Sequence, residues 1–161
     1  MGIGLTAPRL SWILIGKEHN QSQSAYEIIV SDNERDINQF KGNIWKTGKT
    51  SSGESILVKY NGKKLKPFTR YFWRVRCYDQ NGRATPWSTI QWFETAAFLD
   101  TDWKGKWISD GSKPYEKDED FYKNDPAPLF RRPFAPKSKL AAARLYISGL
   151  GYYEAYLNGK K

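Results

Sequence analysis

The sequence predicts an all-β protein, an antiparallel β-sandwich followed by an incomplete second β-domain. Three observations carry this. Residues 71–78 alternate, with Tyr71, Trp73, Val75 and Cys77 on one face and Phe72, Arg74, Arg76 and Tyr78 on the other, the period-2 signature of a strand with one apolar side. Asn81-Gly82 supplies positive-φ positions for a reversal, and Ile90–Thr95 returns as the partner strand. Leu65, Pro67, Thr69 and Tyr71 sit at alternate positions leading into the first strand. That is the setting of a tyrosine corner, in which a buried ring sends its hydroxyl back to backbone a few residues upstream.

The remaining elements follow in chain order. Pro8–Ile15 reads as a strand with Leu10, Trp12 and Leu14 on one side, and a polar run from Gly16 to Ser24 separates it from the next. Ala25–Ser31 is a second strand, with Tyr26, Ile28 and Val30 facing together. Asp32–Lys41 is charged and turn-like, with room for one helical turn. Ile44–Thr47 forms a short edge strand ended by Gly48, and Ser55–Tyr60 alternates through Ile56, Val58 and Tyr60 before the Asn61-Gly62 turn. No long helical periodicity is present.

Residues 96–102 lose the alternation and read as a junction, after which residues 102–108 restart an aromatic segment. Residues 109–128 are polar, charged and broken by Pro114, Pro126 and Pro128, which predicts a long, weakly ordered loop. Phe130–Phe134, Ala143–Ser148 (Leu145 and Ile147 opposite Tyr146) and Tyr152–Leu157 read as strands. Asn158-Gly159 is a strong hairpin signal, yet only two residues follow it. The expected organisation is a module over residues 1–98, then a linker and the truncated start of a second β-sandwich over residues 99–161. The chain is expected to be a fragment of a longer protein.

Composition supports an aromatic β core: 39% of residues are hydrophobic and 16% aromatic, with seven Trp, ten Tyr and eight Phe. No run approaches the roughly 18 apolar residues of a membrane-spanning helix. The N-terminal MGIGLTAPRLSW lacks the basic start and apolar run of a signal peptide, so a periplasmic or extracellular parent would carry its signal upstream. The net charge of +9 comes from scattered basic residues interleaved with 17 acidic ones, Lys63, Lys64 and Lys66 being the one dense group. This describes a solvated surface rather than a phosphate-tracking patch, and nucleic acid is not an expected partner.

Candidate sites are few. Cys77 has no internal disulfide partner and reads as a buried packing thiol. His19 lies in the polar run, and one His with one Cys assembles no zinc site. Glu116, Asp118, Glu119 and Asp120 read as a solvated loop rather than as catalytic acids or calcium ligands. Arg74 and Arg76 face outwards beside Trp87, and guanidinium–aromatic stacking there stabilises the outer face by about 0.5–1 kcal/mol. Among residues able to stack on a sugar (Trp103, Trp107, Tyr115, Tyr152 and Tyr153), Trp103 and Trp107 read as sealing the domain junction and Tyr153 as core. No catalytic, cofactor or metal residue is assigned.

Trp12 in PRLSW, the Leu65/Pro67/Thr69/Tyr71 corner, Trp73-Arg74-Val75 and Pro86-Trp87-Ser88 make residues 1–98 resemble a fibronectin type III module. The ordered series PRLSW, SAYEIIVSD, IWKTGK, YFWRVRCYDQNGRATPWS, WFET, DWKGKWI, LFRRPF and ARLYISGLGYYEAYLNGK resembles the N-terminal region of bacterial α-L-rhamnosidases. In that family such a module precedes a β-sandwich described as carbohydrate-binding or substrate-recognising, and an (α/α)6-barrel further on carries the catalytic acid pair. The resemblance implies a non-catalytic accessory region that spaces and supports the catalytic domain, with other domains of the same chain, and carbohydrate, as its partners. No position here corresponds to the catalytic pair. The family's strand upstream of GIGLTAPRLSW is mostly absent, so an open sheet edge able to pair with another copy is expected. A stand-alone adhesion or protein-binding module is the alternative.

Overall fold

The computed structural model describes residues 2–16, 19–136, 138–140 and 143–161. The chain divides into one unit over residues 1–107 and another over residues 108–161.

In the first unit, β1 (Arg9–Leu10), β2 (Gln23–Ser31), α1 (Glu34–Asn38), β3 (Trp45–Lys46), β4 (Thr50–Ser51), β5 (Val58–Lys59), β6 (Arg70–Asp79) and β7 (Gln91–Glu94) follow in order. β1 and β5 form a two-stranded antiparallel sheet; the other sheet runs β3-β2-β6-β7, with β4 also on β2. The long central pair sets the register, Ile28 opposite Val75 and Val30 opposite Trp73. Because side chains alternate across a strand, this register aligns Tyr26, Ile28 and Val30 with Tyr71, Trp73, Val75 and Cys77 on the inner face. Leu10, Val58, Tyr60, Leu65 and Phe93 close the core from β1, β5, the β5–β6 connection and β7. Cys77 is a buried free thiol, as its position in the alternation requires.

The tyrosine corner is present: the Tyr71 hydroxyl accepts the Lys66 N–H at 2.8 Å. Its hydrogen-bonding extends to a residue not read from the sequence. Thr95 Oγ1 donates to the Lys66 carbonyl at 2.6 Å and accepts the Thr69 N–H at 2.9 Å. In the Asn81-Gly82 turn only Gly82 takes positive φ (77°), because Asp79 Oδ1 accepts the N–H groups of both Asn81 and Arg83 and shapes the turn from its first residue. Pro86 then interrupts the returning ladder. On either side of it, Thr85 Oγ1 accepts the Cys77 N–H and Ser88 Oγ the Val75 N–H, at 3.0 and 3.1 Å.

The first strand is shorter than expected. The strand expected over residues 8–15 is confined to Arg9–Leu10; Leu14 is 46% exposed, and on the partner segment Ile56 is 70% exposed. Leu57 takes φ 57°, which ends the extended run opposite Trp12 and breaks the shared alternation. β7 is paired near its end, where Ile3 bridges Thr95 in parallel through Ile3 N–H to the Glu94 carbonyl (2.7 Å) and Ala96 N–H to the Ile3 carbonyl (2.9 Å). Finally, the outer face of β2 is buried too, at Ala25, Glu27, Ile29 and Ser31. The single turn α1, capped by Asn33 accepting the Arg35 N–H at 2.8 Å, lies over β2 and β6 and brings in the fully buried Ile37.

The junction folds onto the first unit. Phe98 packs against the core, and Asp102 Oδ2 accepts the N–H groups of Phe98 and Leu99 at 2.8 and 2.9 Å. The Trp103 ring meets Phe68 edge-on at 5.5 Å, while Trp107, expected to seal the junction, is 69% exposed.

Among its described residues the second unit has a 3-10 turn, Asp118–Tyr122, and a hairpin turn at Asn158-Gly159 with φ of 51° and 77°. There Leu157 and Lys160 exchange backbone hydrogen bonds of 2.8 and 3.1 Å. The strands expected at 130–134, 143–148 and 152–157 do not form among the described residues, and Tyr153 is half-exposed rather than core. An extended segment becomes a stable strand where its backbone groups are paired and one face is covered; the alternation is present in these segments, but no β-ladder runs along them among the described residues.

Tyr60 gives the core a measurable alkaline limit. Its hydroxyl donates to the Lys63 carbonyl at 2.6 Å, and burial, with a smaller contribution from Tyr71, pushes its pKa up to about 12. An acid whose pKa is raised on folding is retained by the folded state after the unfolded chain has lost it, so stability falls as pH rises from about 10 to about 12. Urea midpoints across that range should fall for the native sequence and fall less for Tyr60→Phe.

Candidate functional site

The outer face of β6 and its neighbours carries a ladder of cations on aromatic rings. Arg70, opposite Glu94 in the β6–β7 register, lies over Trp92 at 4.2 Å and 3.7 Å from the Glu94 carboxylate. Arg74 lies over Phe40 at 4.9 Å and donates through Nε to the Ser88 carbonyl at 2.7 Å. Arg76 lies over Trp87 at 4.9 Å, and Lys49 over Tyr78 at 4.4 Å. The stacking expected for both arginines is therefore present, with Phe40 rather than Trp87 under Arg74. Phe40 reaches this place because it takes φ 56° at the end of α1, where an extended residue would carry the chain away.

Beneath the ladder lies a buried acid. Glu27 is 6% exposed, and its Oε2 is held by Arg76 Nη2 at 2.6 Å and Nε at 2.8 Å. The Tyr78 hydroxyl adds a 3.4 Å contact. A carboxylate engaged in this way is structural: a glycosidic acid must have a proton to deliver and room for a sugar beside it.

The other titratable groups are dispersed. Glu116, Asp118 and Glu119 are exposed on the 109–128 loop, and Asp120 pairs with Lys123 at 2.5 Å. His19 and the Lys63, Lys64, Lys66 group are exposed. Among the described residues, no three His, Cys, Asp or Glu side chains gather as metal ligands. Burial raises the pKa of the Cys77 thiol. This suits an inert packing group rather than a nucleophile. One cluster escaped the sequence reading: Glu154 accepts from the hydroxyls of Tyr152 (2.7 Å) and Tyr156 (2.5 Å) and pairs with Lys161, which together hold its carboxyl down to about 2. The signal was available, since Tyr152, Glu154 and Tyr156 share one face of an extended segment.

The aromatic residues considered for sugar stacking do not form a shared platform within either unit. Trp103 is engaged by Phe68, Tyr115 meets Phe121 edge-on at 5.3 Å, and Tyr152 is 87% exposed with its hydroxyl on Glu154. The first unit also has an apolar edge. A shallow groove there is lined by Ser11, Trp12, Ile13 (89% exposed), Leu14, Ser55 and Ile56.

A two-layer sandwich in the first unit, with no metal-ligand cluster among the described residues, is the frame for the comparison with known proteins. The sequence family described as Rha78A-like, N-terminal immunoglobulin domain matches residues 1–99. The chain belongs to this family. An alpha-L-rhamnosidase of Formosa agariphila is 32% identical over 169 residues, covering 96% of this chain and 18% of that protein. Among solved structures, alpha-L-rhamnosidase from Dictyoglumus thermophilum aligns with a TM-score of 0.64 at 41% identity, over 67% of this chain and 12% of that one. The Streptomyces avermitilis alpha-L-rhamnosidase complexed with L-rhamnose aligns with a TM-score of 0.63 at 40% identity, over 67% of this chain and 10% of that one. The chain thus spans less than a fifth of the length of these relatives. Residues 1–99 are an N-terminal immunoglobulin domain of the Rha78A-like kind, in keeping with the resemblance carried by PRLSW, the tyrosine corner and Pro86-Trp87-Ser88.

Proposed function

We propose that this chain is the accessory N-terminal part of an α-L-rhamnosidase, a glycoside hydrolase acting on rhamnose-containing polysaccharides or glycosides. Its role is to space and support a catalytic domain carried elsewhere in the polypeptide. The observation that carries this reading is the lopsided coverage: a rhamnosidase matches 96% of this chain while the chain accounts for 18% of that enzyme. The proposed division places the sandwich module in residues 1–98 and a linker with the start of the next β-domain in residues 99–161. The site chemistry agrees, because the buried carboxylate Glu27 is engaged by Arg76. Rhamnoside cleavage requires two carboxyl groups on opposite sides of the scissile bond, one protonated and one ionised.

The purified 161-residue chain should release no aryl alcohol from an aryl α-L-rhamnoside above the buffer rate. Turnover by this chain, abolished by substituting one of its own carboxylates, would overturn the reading.

A further inference from the structure

The cation–ring ladder on the outer face of β6 is unevenly compensated. Arg76 is matched by Glu27 at 2.6 Å and Arg70 by Glu94 at 3.7 Å. Arg74 and Lys49 are paired with no carboxylate among the described residues. Arg74 is nonetheless held in place. Its Nε donates to the Ser88 carbonyl at 2.7 Å, and its guanidinium carbon lies 4.9 Å from the centre of the Phe40 ring. Phe40 in turn meets Trp87 at 5.9 Å, so two rings stand beside this half-buried guanidinium. A guanidinium carries five N–H donors. With Nε used, the four on Nη1 and Nη2 have no protein acceptor among the described residues. They form the planar fork that a carboxylate or a sulfate ester meets with two parallel bonds, and a side chain already pinned at Nε loses little further freedom in doing so.

We propose that the Arg74 fork, together with Lys49 further along the same face, binds the acid groups of an anionic polysaccharide. The inference rests on the accessory-domain reading given above, which supplies a glycan as the object of the enzyme, and it adds that this glycan is acidic. Lys49 lies over Tyr78, four residues from Arg74 on β6, which separates the two cations by roughly 14 Å. Charge selects the occupant. A second copy of the chain carries the same net charge of +9 and is repelled. A nucleic acid presents a phosphate about every 3.4 Å of strand, a density that two widely spaced cations leave largely unmet. The ring faces on which its bases would stack are already covered by Arg70, Arg74, Arg76 and Lys49. A polysaccharide with acid groups on only some of its sugars matches sparse cations and needs no free ring.

Affinity electrophoresis of the 161-residue chain through gels containing polygalacturonate, dextran sulfate or neutral dextran tests this. At least one acidic polymer should retard the chain and neutral dextran should not; the tighter of the two identifies the acid group as carboxylate or sulfate. Arg74→Gln should weaken that retention about tenfold. Lys59→Gln, which removes the same charge from an exposed position on β5, should change it little. Lys49→Gln, at an exposed side chain outside the core, should also weaken retention, and it carries the test if Arg74→Gln unfolds. Equal losses in Arg74→Gln and Lys59→Gln would reduce binding to net charge and overturn the proposal. Retention by neither acidic polymer would overturn it too, as would tighter binding of poly-L-glutamate or single-stranded DNA than of either polysaccharide. Rhamnosidase assay of the longer polypeptide separates the two levels. Turnover without Arg74-dependent retention defeats the anion site alone, while absence of turnover defeats the accessory reading and the choice of a polysaccharide with it.

Discussion

Trp73→Ala is expected to cost about 3–5 kcal/mol, the range for removing a large aromatic side chain from a packed interior. Trp73 lies in the middle of β6, paired with Val30 of β2 and Gln91 of β7, with its ring inside the core cluster. Its neighbours are held by β-ladders on both sides, so little collapse into the vacated space is available. For a domain whose total stability is about 5–15 kcal/mol, that loss leaves a large unfolded fraction or a barely folded molecule. Equilibrium urea unfolding followed by far-UV circular dichroism measures it. Trp107→Ala, at a ring 69% exposed, is the control and should change the midpoint little. A Trp73→Ala protein within about 1 kcal/mol of the native chain contradicts the two-layer core.

Arg76→Ala is expected to cost about 3 kcal/mol, because it leaves the Glu27 carboxylate buried without its counter-charge. The value sits at the low end of the range for breaking buried pairs because 32% of the Arg76 side chain already reaches solvent. The same substitution uncovers the Trp87 face. Replacing both partners, Glu27→Gln with Arg76→Met, should recover most of the loss, since an uncharged pair of similar shape leaves no ion to desolvate. Additive losses in this double-mutant cycle would show that Arg76 acts through packing alone.

The sequence made local chemistry legible and long-range pairing only partly so. Alternation along β6 identified the inner face from Tyr71 to Cys77, and the Leu65–Tyr71 spacing identified the corner, because both are set within a few residues. Thr95 completes the corner from 26 to 29 residues away, a distance that depends on the β6–β7 register. Glu27 was not singled out in the sequence; its ion pair depends on Arg76, 49 residues further on. Phe40 was invisible as the partner of Arg74 because its left-handed backbone, not its spacing, aims the ring. The same holds for Leu57, whose backbone ends the alternation that Ile56, Val58 and Tyr60 had suggested. In residues 108–161 the Asn158-Gly159 turn was legible because two residues determine it. The strands around it were overread, since alternation signals a face ready to be covered and does not supply the cover.

The most direct test of the central claim, that this module supports rhamnoside cleavage without taking part in it, is the kinetics of the longer polypeptide carrying Arg76→Ala. At a temperature where the variant stays folded, kcat and KM on an aryl α-L-rhamnoside should match the native enzyme, while the half-life of activity on heating shortens. A folded variant with a tenfold lower kcat and unchanged thermal half-life would place this module in the chemistry and contradict the account.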